Sequence, residues 1–310
     1  MRPTVFIPNY NGAERIGRAL DGLRRQDREV AVVVADNGST DGSVAMLAER
    51  YPEVTVVELG ANLGFGTALN RAVAATPEAD PIMLLNDDAE PERGFVTALL
   101  AALRDEVDTV AALMLQEADP GRIDSAGVVA DRTVMGFDYL QGEPVAAAAG
   151  AKAPLGPTGG AALYRRAAFE AVGGFDERIF LYYEDLDLAL RMAAAGARCA
   201  LAPEARVVHA YSQSLGAASG AKYARTGWSR GYMLRRYGVM RHPALALRVL
   251  AAEGAICAGQ LLRDHTAAGL RGRLRGYREA GGAARREVPT SALLDLGTRE
   301  AIELRRRRRG

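Results

Sequence analysis

Val30-Ala-Val-Val-Val-Ala-Asp36-Asn-Gly-Ser-Thr-Asp-Gly42 is the stretch on which the fold turns. Six small or β-branched apolar residues read as a strand buried on both faces. The polar run after them cannot continue that strand, because Asn, Gly, Ser and Asp favour turns. Asp41 opens the next helix as a cap. Outward from this unit the same alternation repeats. Strands are expected at 4–7, 54–58 and 82–85, and helices at 13–25, 42–50, 67–75 and 92–104. Strand-helix alternation predicts an α/β fold: a mostly parallel, Rossmann-like sheet with right-handed crossovers, flanked by helices. Ligands of such sheets sit at the carboxyl ends of the strands. The polar residues stand there: Asn9-Tyr10-Asn11-Gly12, Asp36-Asn37-Gly38-Ser39 and Asn86-Asp87-Asp88.

Beyond residue 107 the pattern loosens until about 153, and the Gly, Pro and Ala run at 142–156 reads as an irregular excursion or flexible loop. Regular structure resumes with Gly159-Gly160-Ala-Ala-Leu-Tyr164, a helix over 184–195, and short strands near 199–201 and 205–208. After about residue 216 the chain reads as helical throughout. The division is therefore an α/β unit at 1–215 and a helical C-terminal region at 216–310. The most apolar segment, 243–262, is interrupted by Arg248 and Glu253, so it reads as an amphipathic or buried helix and not a membrane span.

Hydrophobic content of 49% and charged content of 25% are those of a globular protein. The net charge of +1 gives the whole molecule no electrostatic preference, but arginines crowd the last third and fill 305–309. A basic tail can meet lipid headgroups or nucleic acid; a solvated, frayed terminus explains it equally. No aromatic or helix-turn-helix platform accompanies it, so no nucleic-acid partner is expected. Cys199 and Cys257 match no metal or disulfide spacing, and Met1 runs straight into a strand without a signal peptide. The expected location is the cytoplasm, or the inner face of the plasma membrane as a peripheral protein.

Three acidic clusters need a chemical reason. Asp36 can accept the imide N–H of uracil or thymine, although a turn-opening role would also account for it. Carboxylates after a buried strand, as at Asn86-Asp87-Asp88, are costly unless solvated or metal-bound. Mg²⁺ or Mn²⁺ prefers such oxygen ligands and leaves positions for phosphate, so an ion bridging Asp88 and a diphosphate would neutralise a leaving group. Tyr183-Glu184-Asp185-Leu186-Asp187 opens an apolar-striped helix, where the dipole keeps a carboxylate ionised and fit to act as a base. Asp185 and Asp187 are two apart and face different sides, so Asp187 is read as structural. His209, one of three histidines, joins the candidates because the other clusters call for a metal.

The ordered set of motifs resembles family 2 glycosyltransferases of GT-A fold, and within them the bacterial rhamnosyltransferase-like branch. It comprises Ile7-Pro-Asn-Tyr-Asn-Gly12, Val33-Val-Ala-Asp-Asn-Gly-Ser-Thr-Asp-Gly42, Asn62-Leu-Gly-Phe-Gly66, Leu85-Asn-Asp-Asp88, Gly159-Gly160, Gly173-Gly-Phe-Asp-Glu-Arg-Ile-Phe-Leu-Tyr-Tyr-Glu-Asp-Leu-Asp-Leu188 and Val208-His-Ala-Tyr-Ser212. The resemblance implies donor contacts from Pro8, Asn9, Tyr10, Asp36, Asn37, Asn62, Gly64, Asn86 and Asp87. It implies metal ligation by Asp88 and His209, the more so because Asn86 stands where many members carry Asp. Asp185 would be the catalytic base, with Gly159, Gly160 and Glu184 on the acceptor side. It further implies an inverting transfer with Mg²⁺ or Mn²⁺ from a nucleoside-diphosphate sugar, dTDP-rhamnose first and UDP-sugars next. The acceptor would be a saccharide, a lipid-linked glycan or a small natural product. The basic helical region fits either peripheral membrane contact or a homodimer contact. A nucleotidyltransferase would need a glycine-rich, lysine-bearing phosphate loop, which residues 7–12 lack. The other reading is a non-catalytic sugar-nucleotide-binding partner protein.

Overall fold

The computed structural model describes residues 2–210, 219–296 and 300. Its first half runs β1 (Arg2–Asn9), α1 (Ile16–Arg24), β2 (Ala31–Asp36), α2 (Ser43–Arg50), β3 (Thr55–Glu58), α3 (Phe65–Ala74) and β4 (Ala79–Leu85). The strands lie in the order β3-β2-β1-β4, all parallel. Their centres are sealed on both faces, which is why they are apolar without alternation: Val5, Phe6, Ile7, Val34, Leu84 and Leu85 are wholly buried. One face is covered by Ile16, Leu20 and Leu47 from α1 and α2, the other by Ala68, Leu69 and Ala72 from α3.

The second half is mixed. It comprises β5 (Ala89–Pro91), α4 (Phe95–Ala102), β6 (Thr109–Gln116), β7 (Ile123–Ser125), β8 (Val128–Ala130), β9 (Gly136–Asp138), β10 (Ala161–Tyr164), α5 (Arg166–Ala171), α6 (Glu184–Ala194) and β11 (Cys199–His209). β10 enters antiparallel between β4 and β6, while β11 lies parallel to β6 and carries β5 on its far edge. β11 is one strand with a register shift between Ala202 and Arg206, where two short strands were expected. The expected irregular stretch is also corrected. β6 is an interior strand with seven buried residues, hidden in the sequence because its alanines carry no strand preference. The 142–156 run is tied down as well, by Val145 N–H to the Gly121 carbonyl (3.1 Å) and Val128 N–H to the Gly156 carbonyl (2.8 Å).

The C-terminal region holds α7 (Gly220–Arg236), α8 (Pro243–Asp264) and α9 (Ala268–Glu279). α7 and α9 meet through glycine: a Cβ on Gly231 would stand 2.0 Å from the Arg273 carbonyl, and one on Gly276 1.9 Å from that of Trp228. Tyr232, Met233 and Leu234 of α7 share a core with Leu186 and Leu190 of α6. Arg230, also on α7, is 1% exposed. It donates to Glu253 Oε1 (2.7 Å) and to the carbonyls of Thr133 (3.0 Å) and Val134 (2.7 Å), and Arg273 donates to Glu253 Oε2 (2.7 Å). Past α9 the helical expectation fails. The chain runs back over the helices, with Arg286 N–H on the Arg236 carbonyl and Leu294 N–H on that of Ala130, both 2.8 Å. Ser212, the boundary at 215 and the arginines at 305–309 lie outside the described residues.

Candidate active site

The carboxyl ends of β1, β2 and β4 deliver the polar residues to one edge of the sheet. Asn9 and Asp36 face each other in register, and Asn9 Nδ2 donates to Asp36 Oδ1 (2.9 Å) and Ser39 Oγ (3.1 Å). Asp36 Oδ2 accepts the Ser39 N–H (3.0 Å), so its carboxylate is fixed in orientation yet keeps lone pairs for a base. Pro8 precedes this pair opposite Ala35, and Tyr10 follows it with its ring about half exposed. Asp41 accepts the amides of Ala13 (2.9 Å) and Ser43 (3.0 Å), tying the loop after β1 to the start of α2.

Asn37 and Asn62 build the neighbouring loop. Asn37 Oδ1 accepts the Leu63 N–H (2.8 Å), while its Nδ2 donates to Asn62 Oδ1 and the Gly64 carbonyl, both 3.2 Å. Gly64 has φ of +90°, and a Cβ there would lie 2.4 Å from the Phe180 carbonyl oxygen. The glycine is therefore demanded by chain packing. Gly66 sits likewise against Phe175.

After β4, Asn86 N–H bonds the Gly160 carbonyl (2.9 Å). Asp87 pairs with Arg15 (2.8 Å), although burial still pushes its carboxyl up to about 6. Asp88 Oδ1 lies 3.2 Å from His209 Nε2, off the line of a hydrogen bond, so this buried oxygen is left without a hydrogen-bond partner. The other imidazole nitrogen, Nδ1, is 2.7 Å from Asp124 Oδ2. Asp124 on β7 is 6% exposed. Burial alone would depress the imidazole, but the bond to Asp124 and the carboxylate charge of Asp88 beside Nε2 outweigh burial and raise it to about 10. The imidazolium must lose that proton before Nε2 can ligate an ion.

Among the described residues no three His, Cys, Asp or Glu side chains close on an ion by themselves. Asp88 and His209 nevertheless converge, and the Oδ1 atoms of Asp88 and Asn86 are both buried without partners. Such a half-set suits a hard divalent ion that draws its remaining ligands from phosphate and water. Asp124 then fixes the imidazole tautomer from behind, as partners of metal-bound histidines do. Neither Asp124 nor Arg15 was legible beforehand: the first is a lone acid in a three-residue strand, the second one arginine among many.

Asp185 completes the edge. The backbone turns into α6 through Tyr182 and Tyr183 at φ of +69° and +72°. Asp185 Oδ2 accepts from Thr158 Oγ1 (3.2 Å) and Gly159 N–H (3.3 Å), and Oδ1 accepts the Leu186 N–H (2.7 Å). Gly159 and Gly160 thus link Asp185 to Asn86 through consecutive backbone contacts. Asp187 is fully buried, bonded to Arg191 (2.8 Å), Tyr237 Oη (2.9 Å) and Arg286. Glu184 is buried too, and its Oε2 has no partner among the described residues.

Burial first, then the charge of Asp185, raises the Glu184 carboxyl from an ordinary 4.5 to about 8. The folded chain therefore keeps this proton at pH values where the unfolded chain has lost it. Stability falls as pH rises from about 4.5 to 8 and levels off above. Glu184→Gln should remove this slope and melt higher than the parent at pH 8–9 (values bracketing the shifted carboxyl). Melting temperatures of both proteins across the range check it, and identical slopes would contradict it.

The family model described as "Glycosyl transferase family 2" matches residues 4–173. The chain belongs to this family. As a family 2 glycosyltransferase it is 35% identical over 244 residues to an N-acetylglucosaminyl-diphospho-decaprenol L-rhamnosyltransferase of Mycobacterium tuberculosis, covering 69% of this chain and 77% of that one. It is 28% identical over 213 residues to the O-antigen chain rhamnosyltransferase WbaN of Salmonella anatum, covering 67% and 66%. Among solved structures it is similar to the mannosyltransferase PcManGT of Pyrobaculum calidifontis, in complex with GDP-Man and Mn²⁺. That match has a TM-score of 0.55 and 23% identity, over 98% of this chain and 82% of that one. S. aureus TarS 1-349 with UDP-GlcNAc follows at TM-score 0.54 and 16% identity, over 85% and 76%. These structures carry the fold, GT-A, and the family carries the enzyme class: the protein is a rhamnosyltransferase-like glycosyltransferase.

Proposed function

We propose that the chain is an inverting, metal-dependent glycosyltransferase that moves a sugar from a nucleoside diphosphate to a hydroxyl of a lipid-linked saccharide. The donor is read as dTDP-rhamnose, with UDP-sugars as the next class. The observation that carries the mechanism is the run of contacts from Asp88 and Asn86 through Gly160 and Gly159 to Asp185. It supports reading a leaving-group site and a base on one edge. The donor's base would meet Asp36 and Tyr10, and its diphosphate would lie towards Asp88. Asp88 and His209 would hold Mg²⁺ or Mn²⁺, which when bound stabilises negative charge on the departing diphosphate. Asp185, with Oδ2 held by Thr158 and Gly159, accepts the proton of the acceptor hydroxyl. The acceptor oxygen bonds to the anomeric carbon as the bond to the diphosphate oxygen breaks, so the configuration inverts. The relatives named above support rhamnose and a polyprenyl-linked or O-antigen acceptor. We read residues 1–215 as the catalytic unit and 216–310 as the part that meets the acceptor's surroundings at the inner face of the membrane.

Incubating the full chain with dTDP-rhamnose, UDP-sugars and a polyprenyl-diphosphate-linked N-acetylglucosamine, with Mn²⁺ or with a chelator, tests this reading. Metal-dependent transfer with an inverted anomeric centre by NMR is expected. Retained configuration, or transfer indifferent to the chelator, would sink it. Asp124→Asn is expected to weaken Mn²⁺ binding by about 10- to 100-fold, and to lower the melting temperature of the metal-free protein because the charged imidazole loses its partner. Titration of free Mn²⁺ by electron paramagnetic resonance reads this directly.

A further inference from the structure

α8 is built inside out. Within 243–264 the polar side chains Arg248, Glu253 and Gln260 turn towards the protein, whereas every exposed position from 243 to 262 is apolar or glycine. Leu247, Leu250, Leu261 and Leu262 are 72%, 61%, 55% and 76% exposed. A surface helix in water shows the reverse pattern. The two charges that interrupt the run in the sequence are spent internally: Arg248 reaches Asp131 (3.6 Å) and the Leu296 carbonyl (2.6 Å), and Glu253 binds Arg230 and Arg273. What remains outside, from 243 to 262, is an uncharged strip about 30 Å long, given the rise of an α-helix.

Its surroundings are basic. Arg241 and Arg263 are exposed at the two ends. α9 turns its glycine face to α7 and presents Leu270, Arg271, Leu274, Arg275 and Arg278 outwards. We propose that the outer face of α8, with the Leu-Arg face of α9, docks the enzyme on an anionic lipid surface. The leucines enter the acyl boundary and the arginines meet the phosphates. α8 passes the length and composition test for a membrane span. Its midpoint is nonetheless bonded through Glu253 to α7 and α9, which holds it flat against the protein and in the interface plane. A second copy fits the strip poorly. Two-fold pairing would bring the flanking arginines together, and Asp264, the acid at its end, is already bonded to Tyr223 (2.7 Å).

The docking face also has a route to the reaction. Arg230, which grips α8 at Glu253, holds the carbonyls of Thr133 and Val134, and Val134 packs in the same core as Leu186, next to Asp185. A lipid-linked acceptor would then be offered to Asp185 from the surface on which the protein rests. This purpose rests on the function proposed above; the docking itself does not.

Flotation of the full chain with phosphatidylcholine vesicles, with and without phosphatidylglycerol, tests the inference. Binding to the phosphatidylglycerol vesicles, weakening as salt rises, is expected. The double variant Leu247→Glu, Leu262→Glu should lose binding by about tenfold or more while keeping its melting temperature and its thermal shift with nucleoside diphosphates. The inference is overturned if the parent floats with neither vesicle, or if the double variant floats as well as the parent, which would assign binding to another segment. It is equally overturned if the parent is a dimer in the ultracentrifuge that the double variant dissolves, which would assign the strip to a second copy. A parent that floats but shows no thermal shift with any nucleotide would count against the transferase reading and leave the docking face standing.

Discussion

Asp185→Asn should lower the transfer rate by about two to four orders of magnitude, the span that a positioned general base supplies, while the donor binds as before. The amide is nearly the same size and keeps an oxygen for the Thr158 hydroxyl and the Gly159 N–H; the bond it gives up is the one from the Leu186 N–H, a local loss at the first turn of α6. What it loses is the capacity to take up a proton. Single-turnover transfer measured beside donor-induced thermal stabilisation separates the two effects. Unchanged turnover would remove Asp185 from the chemistry, and lost donor binding would make it a scaffold residue. Either result sends the search for a base elsewhere along the edge.

Asp88→Ala acts on the other partner. A ligand that binds only the folded state adds about 2.7 kcal/mol at a hundredfold excess over its dissociation constant, an increment readily seen in a melting curve. The parent should show this increment for dTDP or UDP only when Mn²⁺ is present, and the variant should lose it. The substitution leaves His209 bonded to Asp124, so the fold keeps its histidine pin while the ion loses one of two candidate ligands. A full Mn²⁺-dependent shift in the variant would take the metal away from Asp88.

The strand ends that carry Asn9, Asp36 and Asp88 were legible because parallel strands are sealed on both faces and can place polar groups only where they stop. The sheet's second half was harder to read. β6 is as buried as β4, but its alanines and its entry through an antiparallel β10 break the alternation on which the reading depends. Asp124 was invisible for the same reason, since its significance comes from a strand pairing and from a histidine 85 residues away. Asn37, Asn62 and Gly64 show a different limit. Their residue types flagged the loop, but only the contacts with Leu63 and Phe180 show how much of their conservative chemistry serves the backbone itself. α8 was read as amphipathic or buried, with no orientation assigned: Arg248 and Glu253 mark its inner face, a distinction that composition cannot make.

Asp187 and Arg286, whose contact fixes the inner side of α6, are 99 positions apart. Chains emerge from the ribosome at about 5–20 residues per second, so the carboxylate waits about 5–20 s for this cation after it is made. Through that interval the strands of the sheet's first half can already have assembled, while the buried acid of α6 has Arg191, one turn away, but not its second cation. On the roles proposed above, the order of synthesis would separate two competences: the donor side of the edge is complete before the helix that bears Asp185 is fully pinned.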